Sequence, residues 1–182
     1  MLNGTNIFLI GMMGAGKSTV GNLLAQKIGH SFLDTDPLIE QCAGKSISQI
    51  FAEDGEEAFR AIEQQVLAQV SAHTRLVVAT GGGIVMRSLN WSYLHNGLVV
   101  WIDVPVEILY DRLKTESEHR PLLQTKDPFQ RLNNLYEQRR DRYAQADISI
   151  MVNADETPEA VSDRLFDMIL NRIEPDRLKL DH

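Results

Sequence analysis

The segment Gly11-Met-Met-Gly-Ala-Gly-Lys17-Ser18 has the residue types and the spacing of a phosphate cradle, G-x-x-x-x-G-K-[ST]. Backbone N–H groups bind phosphate oxygens only where the chain turns them inward, and a side chain at Gly11, Gly14 or Gly16 would obstruct that turn. Lys17 adds a point charge toward the β and γ phosphates of a nucleoside triphosphate. Ser18 offers a hydroxyl to Mg²⁺, and the N-terminus of the following helix adds its partial positive charge. Gly14, Ala15, Gly16, Lys17, Ser18 and Thr19 are therefore the candidate nucleotide-binding residues. The loop alone does not say whether phosphate passes to water, a protein or a small molecule.

Asp34-Thr35-Asp36 is the second candidate. In an extended segment residues two apart point the same way, so both carboxylates would face one pocket. One would hold a Mg²⁺ water while the other takes the proton of an acceptor hydroxyl. The alternative is that one of them caps a helix near Pro37. Farther along, Glu63 follows Arg60 by three residues in a helical pattern and so reaches its guanidinium, either to orient it or as an ordinary surface ion pair. Gly81-Gly82-Gly83 is either a turn or side-chain-free backbone beside a ligand.

These residues must be positioned by elements that the apolar pattern predicts. Strand-length runs occur at Ile7 to Ile10, Ser31 to Asp34, Leu76 to Ala79, Leu98 to Ile102 and Ile148 to Val152. Between them, Val20-Leu23-Leu24-Ile28, Phe59-Ile62-Val66-Val70, Val106-Leu109-Tyr110-Leu113 and Val161-Leu165-Met168-Ile169 each fall on one helical face. Thr157 before Pro158 predicts an N-cap, and Ser46 with Gln49 a capping box. Alternating strands and helices with continuously apolar strands predict a parallel five-stranded sheet covered on both faces, with ligands outside the carboxyl ends of the strands. The polar stretch Thr115 to Pro128, which holds Arg120, has no clear period and predicts a lid or binding loop.

The 182 residues fit one domain, and 43% hydrophobic with 24% charged residues excludes global disorder. A net charge of −7 argues against a nucleic-acid partner. No apolar run approaches the roughly 20 residues a membrane span needs. A single cysteine, Cys42, forms no internal disulfide, so a reducing, cytoplasmic setting is expected.

Taken together, the phosphate loop, Asp34-Thr35-Asp36, the run from Gly44 to Glu63, the triple glycine and His119-Arg120-Pro121-Leu122-Leu123 closely resemble the shikimate kinase family, from about Asn6 to the last helix. The resemblance implies a P-loop kinase of the nucleoside-monophosphate-kinase type: an α/β three-layer sandwich, a single domain over 1–182, with a mobile lid at about 115–128. It implies transfer of the γ-phosphate of ATP, with Mg²⁺, to the 3-hydroxyl of shikimate by a monomer. It further implies that Asp36 meets the reacting hydroxyl, that Asp34 and Ser18 serve the metal, and that Arg60 and Arg139 grip the substrate carboxylate. Gly82 is implied as a backbone contact, Phe51, Phe59 and Glu63 as lining or supporting positions, and Arg120 as the lid cation on the transferring phosphate. Two arginine forks favour an anionic acceptor over a neutral sugar. The sequence departs from the family pattern at Arg139-Arg140-Asp141-Arg142-Tyr143, where Asp141 takes a proline position. Arg140 therefore competes with Arg139 for the inward place, and Arg112 competes with Lys114 for the adenine side. A gluconate kinase and a non-catalytic nucleotide-binding module are the alternative functions.

Overall fold

The structure is a computed structural model that describes residues 4–114 and 126–173. Its strands β1 (Asn6–Ile10), β2 (Ser31–Asp34), β3 (Leu76–Ala79), β4 (Gly97–Asp103) and β5 (Ile148–Met151) fall where the apolar runs predict them. All neighbours pair in parallel, in the order β2-β3-β1-β4-β5. Every residue of β1 and β3 is buried, so both faces of the sheet are covered, which is why these strands read as unbroken apolar runs.

Eight α-helices lie among the described residues: α1 (Lys17–Ile28), α2 (Thr35–Ala43), α3 (Ile47–Glu53), α4 (Gly55–Ser71), α5 (Ser88–Leu94), α6 (Val106–Leu113), α7 (Pro128–Tyr143) and α8 (Pro158–Ile173). Helix α1 packs on α8 and on the β1-β3-β2 part of the sheet, while α4 packs on α2, α3 and α5. The caps appear as expected. Ser46 and Gln49 form a reciprocal capping box, and Thr157 Oγ1 accepts from the Ala160 N–H at 3.2 Å beside Pro158.

Two expectations change. The segment after Asp34 is not extended: α2 starts at Thr35, Asp34 is its N-cap, and Asp36 sits in its first turn. The predicted loop Thr115 to Pro128 ends in helix, with Asp127 capping α7 through the Gln130 N–H at 2.9 Å. Residues 115–125, including Arg120, lie outside the described residues.

Candidate active site

The carboxyl ends of β1, β2, β3 and β4 carry the phosphate loop, Asp34, the triple glycine and Asp103 on one edge of the sheet, as parallel α/β topology dictates. Gly11 has φ +143°, and a Cβ there would stand 2.5 Å from the Ile102 carbonyl oxygen on the neighbouring strand. Only glycine fits so close to β4. Gly16, at φ +90°, turns the chain into α1. The Lys17 ammonium is held over the loop, donating to the carbonyls of Gly11 at 2.9 Å and Met12 at 2.8 Å. From α6, Arg112 donates to the Gly14 carbonyl at 3.1 Å. The loop from Gly14 to Thr19 lines a cleft of about 710 Å³ whose walls also include Asp34, Asp36, Gly82 and Arg112.

Asp34 serves two functions at once. Its Oδ1 accepts the Asp36 N–H at 3.0 Å and so caps α2, while its Oδ2 accepts from the Ser18 hydroxyl at 2.5 Å. Capping and ligand-facing readings of this residue are therefore not exclusive. The cap fixes a carboxylate oxygen beside Ser18 at the mouth of α1, two hard oxygen donors of the kind Mg²⁺ takes.

Behind the cleft, α4 presents Arg60 and Glu63. Arg60 is 8% exposed and Glu63 1%. The Arg60 guanidinium donates to Glu63 Oε2 at 2.7 Å and to Glu56 Oε1 at 3.3 Å, and lies 5.1 Å from the Phe59 ring centroid. Phe59 in turn packs on Phe51 at 4.7 Å. Burial pushes the Glu63 carboxyl above its ordinary range against the pull of Arg60, and the nearby Asp36 charge adds to the rise. Burial opposes the charge on Arg60, but Glu63 and Glu56 together hold its pKa above the ordinary value.

The triple glycine fits around these charges. A Cβ on Gly81 would stand 2.9 Å from Glu63 Oε1 and 3.7 Å from Asp36 Oδ1, one on Gly82 would stand 3.3 Å from Arg139, and one on Gly83 would stand 2.3 to 2.6 Å from the Arg60 guanidinium. The glycines are thus space left for Glu63, Asp36, Arg139 and Arg60. Helix α7 buries Leu132, Leu135, Arg139 and Tyr143 on one side and leaves Arg140 exposed. Arg139 is the inward arginine.

Of the residues singled out in the sequence, Gly14, Ala15, Gly16, Lys17, Ser18, Thr19, Asp34, Asp36 and Gly82 share the cleft. Arg60 and Arg139 adjoin it through Gly83 and Gly82, and Arg120 lies outside the described residues. Arg112 lines the cleft, whereas Lys114 reaches Asp111 at 2.8 Å on the exposed side of the chain. Sequence reasoning missed the far wall, Val152, Glu156 and Pro158. They follow β5 as the other cleft residues follow their strands, and that rule would have found them.

The sequence profile of one family, described as shikimate kinase, matches residues 13–170, from inside the phosphate loop into α8. The chain belongs to the shikimate kinase family. It is 59% identical to the shikimate kinase of Trichormus variabilis over 169 residues, covering 93% of each chain. Among solved structures, shikimate kinase from Acinetobacter baumannii in complex with shikimate superposes with a TM-score of 0.89 at 37% identity, over 93% of this chain and 95% of that one. A gluconokinase from Sinorhizobium meliloti, at 16% identity and a TM-score of 0.54 over 98% of both chains, shares the fold alone.

Proposed function

We propose that this member of the shikimate kinase family transfers the γ-phosphate of ATP to the 3-hydroxyl of shikimate, giving shikimate 3-phosphate and ADP. The observation that carries the reading is one juxtaposition: Asp36 lines the phosphate-loop cleft, and the triple glycine beside it abuts two buried arginines, Arg60 and Arg139.

In this reading the backbone from Gly14 to Thr19, the α1 N-terminus and Lys17 bind the triphosphate. Arg60 and Arg139 offer bidentate forks to the acceptor carboxylate and orient its ring. Asp36 takes the proton of the attacking hydroxyl as the oxygen–phosphorus bond forms and the bond to the ADP oxygen breaks. Because such transition states are loose, its main contribution is to aim the hydroxyl. Ser18 and Asp34 would hold Mg²⁺, which when bound neutralises charge on the phosphates. Arg120 is assigned, by family likeness, to the transferring phosphate and to exclusion of water. Gluconate also carries a carboxylate, so the arginine pair alone does not separate the two acceptors; family membership favours shikimate.

We place the activity in a single 1–182 domain working as a cytoplasmic monomer. Among the described residues no helix is long and apolar enough to cross a membrane, and Cys42 is an exposed thiol. A coupled ADP-release assay offering shikimate, gluconate and nucleoside monophosphates separately tests the reading. Stimulation by shikimate is expected, and stimulation by gluconate alone would overturn it.

A further inference from the structure

Tyr143 ends α7 with no exposed surface, its ring stacked 5.7 Å from Trp101 of β4. Its hydroxyl donates to the Gly82 carbonyl at 2.5 Å and lies 3.6 Å from Met12 Sδ in the phosphate loop. The bond to Gly82 supplies what the local backbone does not. In the turn after β3, the Gly81 carbonyl accepts from the Ile84 N–H and the Gly83 carbonyl from the Met86 N–H, both at 3.1 Å. Among the described residues no backbone N–H from outside the segment takes the carbonyl between them. Three consecutive glycines are the loosest backbone a chain can have, and an unheld peptide there would rotate freely.

We propose that Tyr143 is a positioning residue for the acceptor: its hydroxyl holds the Gly82 carbonyl, fixes the Gly82–Gly83 peptide, and so sets the wall on which Arg60 and Arg139 rest. The geometry ties one atom to both arginines. Gly82 and Gly83 abut Arg139 and Arg60 respectively, and Arg139 lies one helical turn before Tyr143 on the same buried side of α7. Burial pushes the Tyr143 hydroxyl up to about 12 against the pull of the Arg139 charge, so it remains a neutral donor throughout the working pH range. Tyr143 acts on the acceptor side twice, through this wall and through the hydrogen bond that Arg139 makes to the same hydroxyl, and its removal should therefore affect one substrate and not the other.

The inference rests on the acceptor reading above, and the test keeps the two apart. Wild-type protein is assayed first: failure to phosphorylate shikimate would defeat the proposed function itself. Given that activity, Tyr143→Phe keeps the ring and its stack but deletes the hydroxyl, and with it the bonds to the Gly82 carbonyl and to Arg139. The shikimate KM should rise about tenfold, the usual scale for one unmet buried polar group. The ATP KM and the kcat at saturating shikimate should stay within about twofold, and the ratio to wild type should be constant from about pH 6 to 9. An unchanged shikimate KM, or equal rises in both KM values, would overturn the proposal. Trp101→Phe loosens the same stack while keeping the hydroxyl, and it carries the test even if the Tyr143 variant does not fold. Its melting temperature should fall with the shikimate KM unmoved, and a raised shikimate KM there would show that packing, not the hydroxyl, sets the wall.

Discussion

Glu63 gives one carboxylate oxygen, Oε2, to Arg60 at 2.7 Å and leaves the other, Oε1, buried without a hydrogen-bond partner in the structure. Oε1 lies beside Gly81, which separates it from Asp36. The α4 pair thus differs from a surface ion pair, whose second carboxylate oxygen would be solvated: here that oxygen is buried beside Gly81.

Glu63→Gln keeps the shape and removes the charge. The shikimate KM should rise about tenfold while the ATP KM holds, because a neutral amide grips Arg60 less firmly. Stability should also change its pH slope. Burial raises the Glu63 pKa above its ordinary 4.5, so its contribution is fully present below that value and is lost as pH rises through the folded-state pKa. Urea melts between about pH 4 and 8 should show wild type losing ground to the Gln variant as pH rises. A constant difference would refute the assignment.

Asp36→Asn should lower kcat by about 10² to 10⁴, the range for loss of a positioned general base, with ATP affinity retained. Single-turnover phosphoryl transfer measures it. Full turnover in the Asn variant would remove Asp36 from its assigned role.

Arg139 and Arg140 are adjacent in sequence, yet only Arg139 is buried, at 6% exposure. Arg139→Ala should raise the shikimate KM by about 10²-fold, the cost of a bidentate charged contact, and Arg140→Ala by less than about threefold. Steady-state kinetics with shikimate varied distinguishes them; equal effects would mean the register of α7 is misassigned.

Much of this arrangement was legible because it follows from simple rules. Continuous apolar runs gave β1, β3 and β4, shorter and more polar runs gave β2 and β5, and the phosphate loop and Ser46–Gln49 box announced their own helices. What stayed hidden had a physical reason. The inward stripe of α7 contains Arg139 between Leu135 and Tyr143, so a buried cation interrupts the apolar period that would reveal the helix. The extended pairing of Asp34 and Asp36 does not form, since Asp34 caps α2 immediately and ends the extended segment, yet both residues line the cleft. The role of the triple glycine, as room for Arg60 and Arg139, depends on contacts between β3, α4 and α7 that sequence spacing does not encode.

Two glycines report on different contacts, Gly83 on a buried side chain and Gly11 on backbone. At Gly83 the three atoms nearest an added methyl group all belong to the Arg60 guanidinium, so Gly83→Ala should push that group away from Glu63, raising the shikimate KM about tenfold and lowering the melting temperature through the disturbed buried ion pair. At Gly11 it would meet backbone at a positive φ, so Gly11→Ala should lose about 1–3 kcal/mol of stability. Thermal melts paired with kinetics check both, and an unchanged shikimate KM in the Gly83 variant or an unchanged melting temperature in the Gly11 variant would contradict the packing described here.

The most direct test of the account compares shikimate with its methyl ester, which keeps every hydroxyl but replaces the carboxylate by a neutral, slightly bulkier ester. By calorimetry the wild-type protein should bind the acid at least about tenfold more tightly, and the Arg60→Ala/Arg139→Ala double variant should bind both alike. Equal binding of acid and ester by the wild type would mean that the two buried arginines do not read the acceptor's carboxylate.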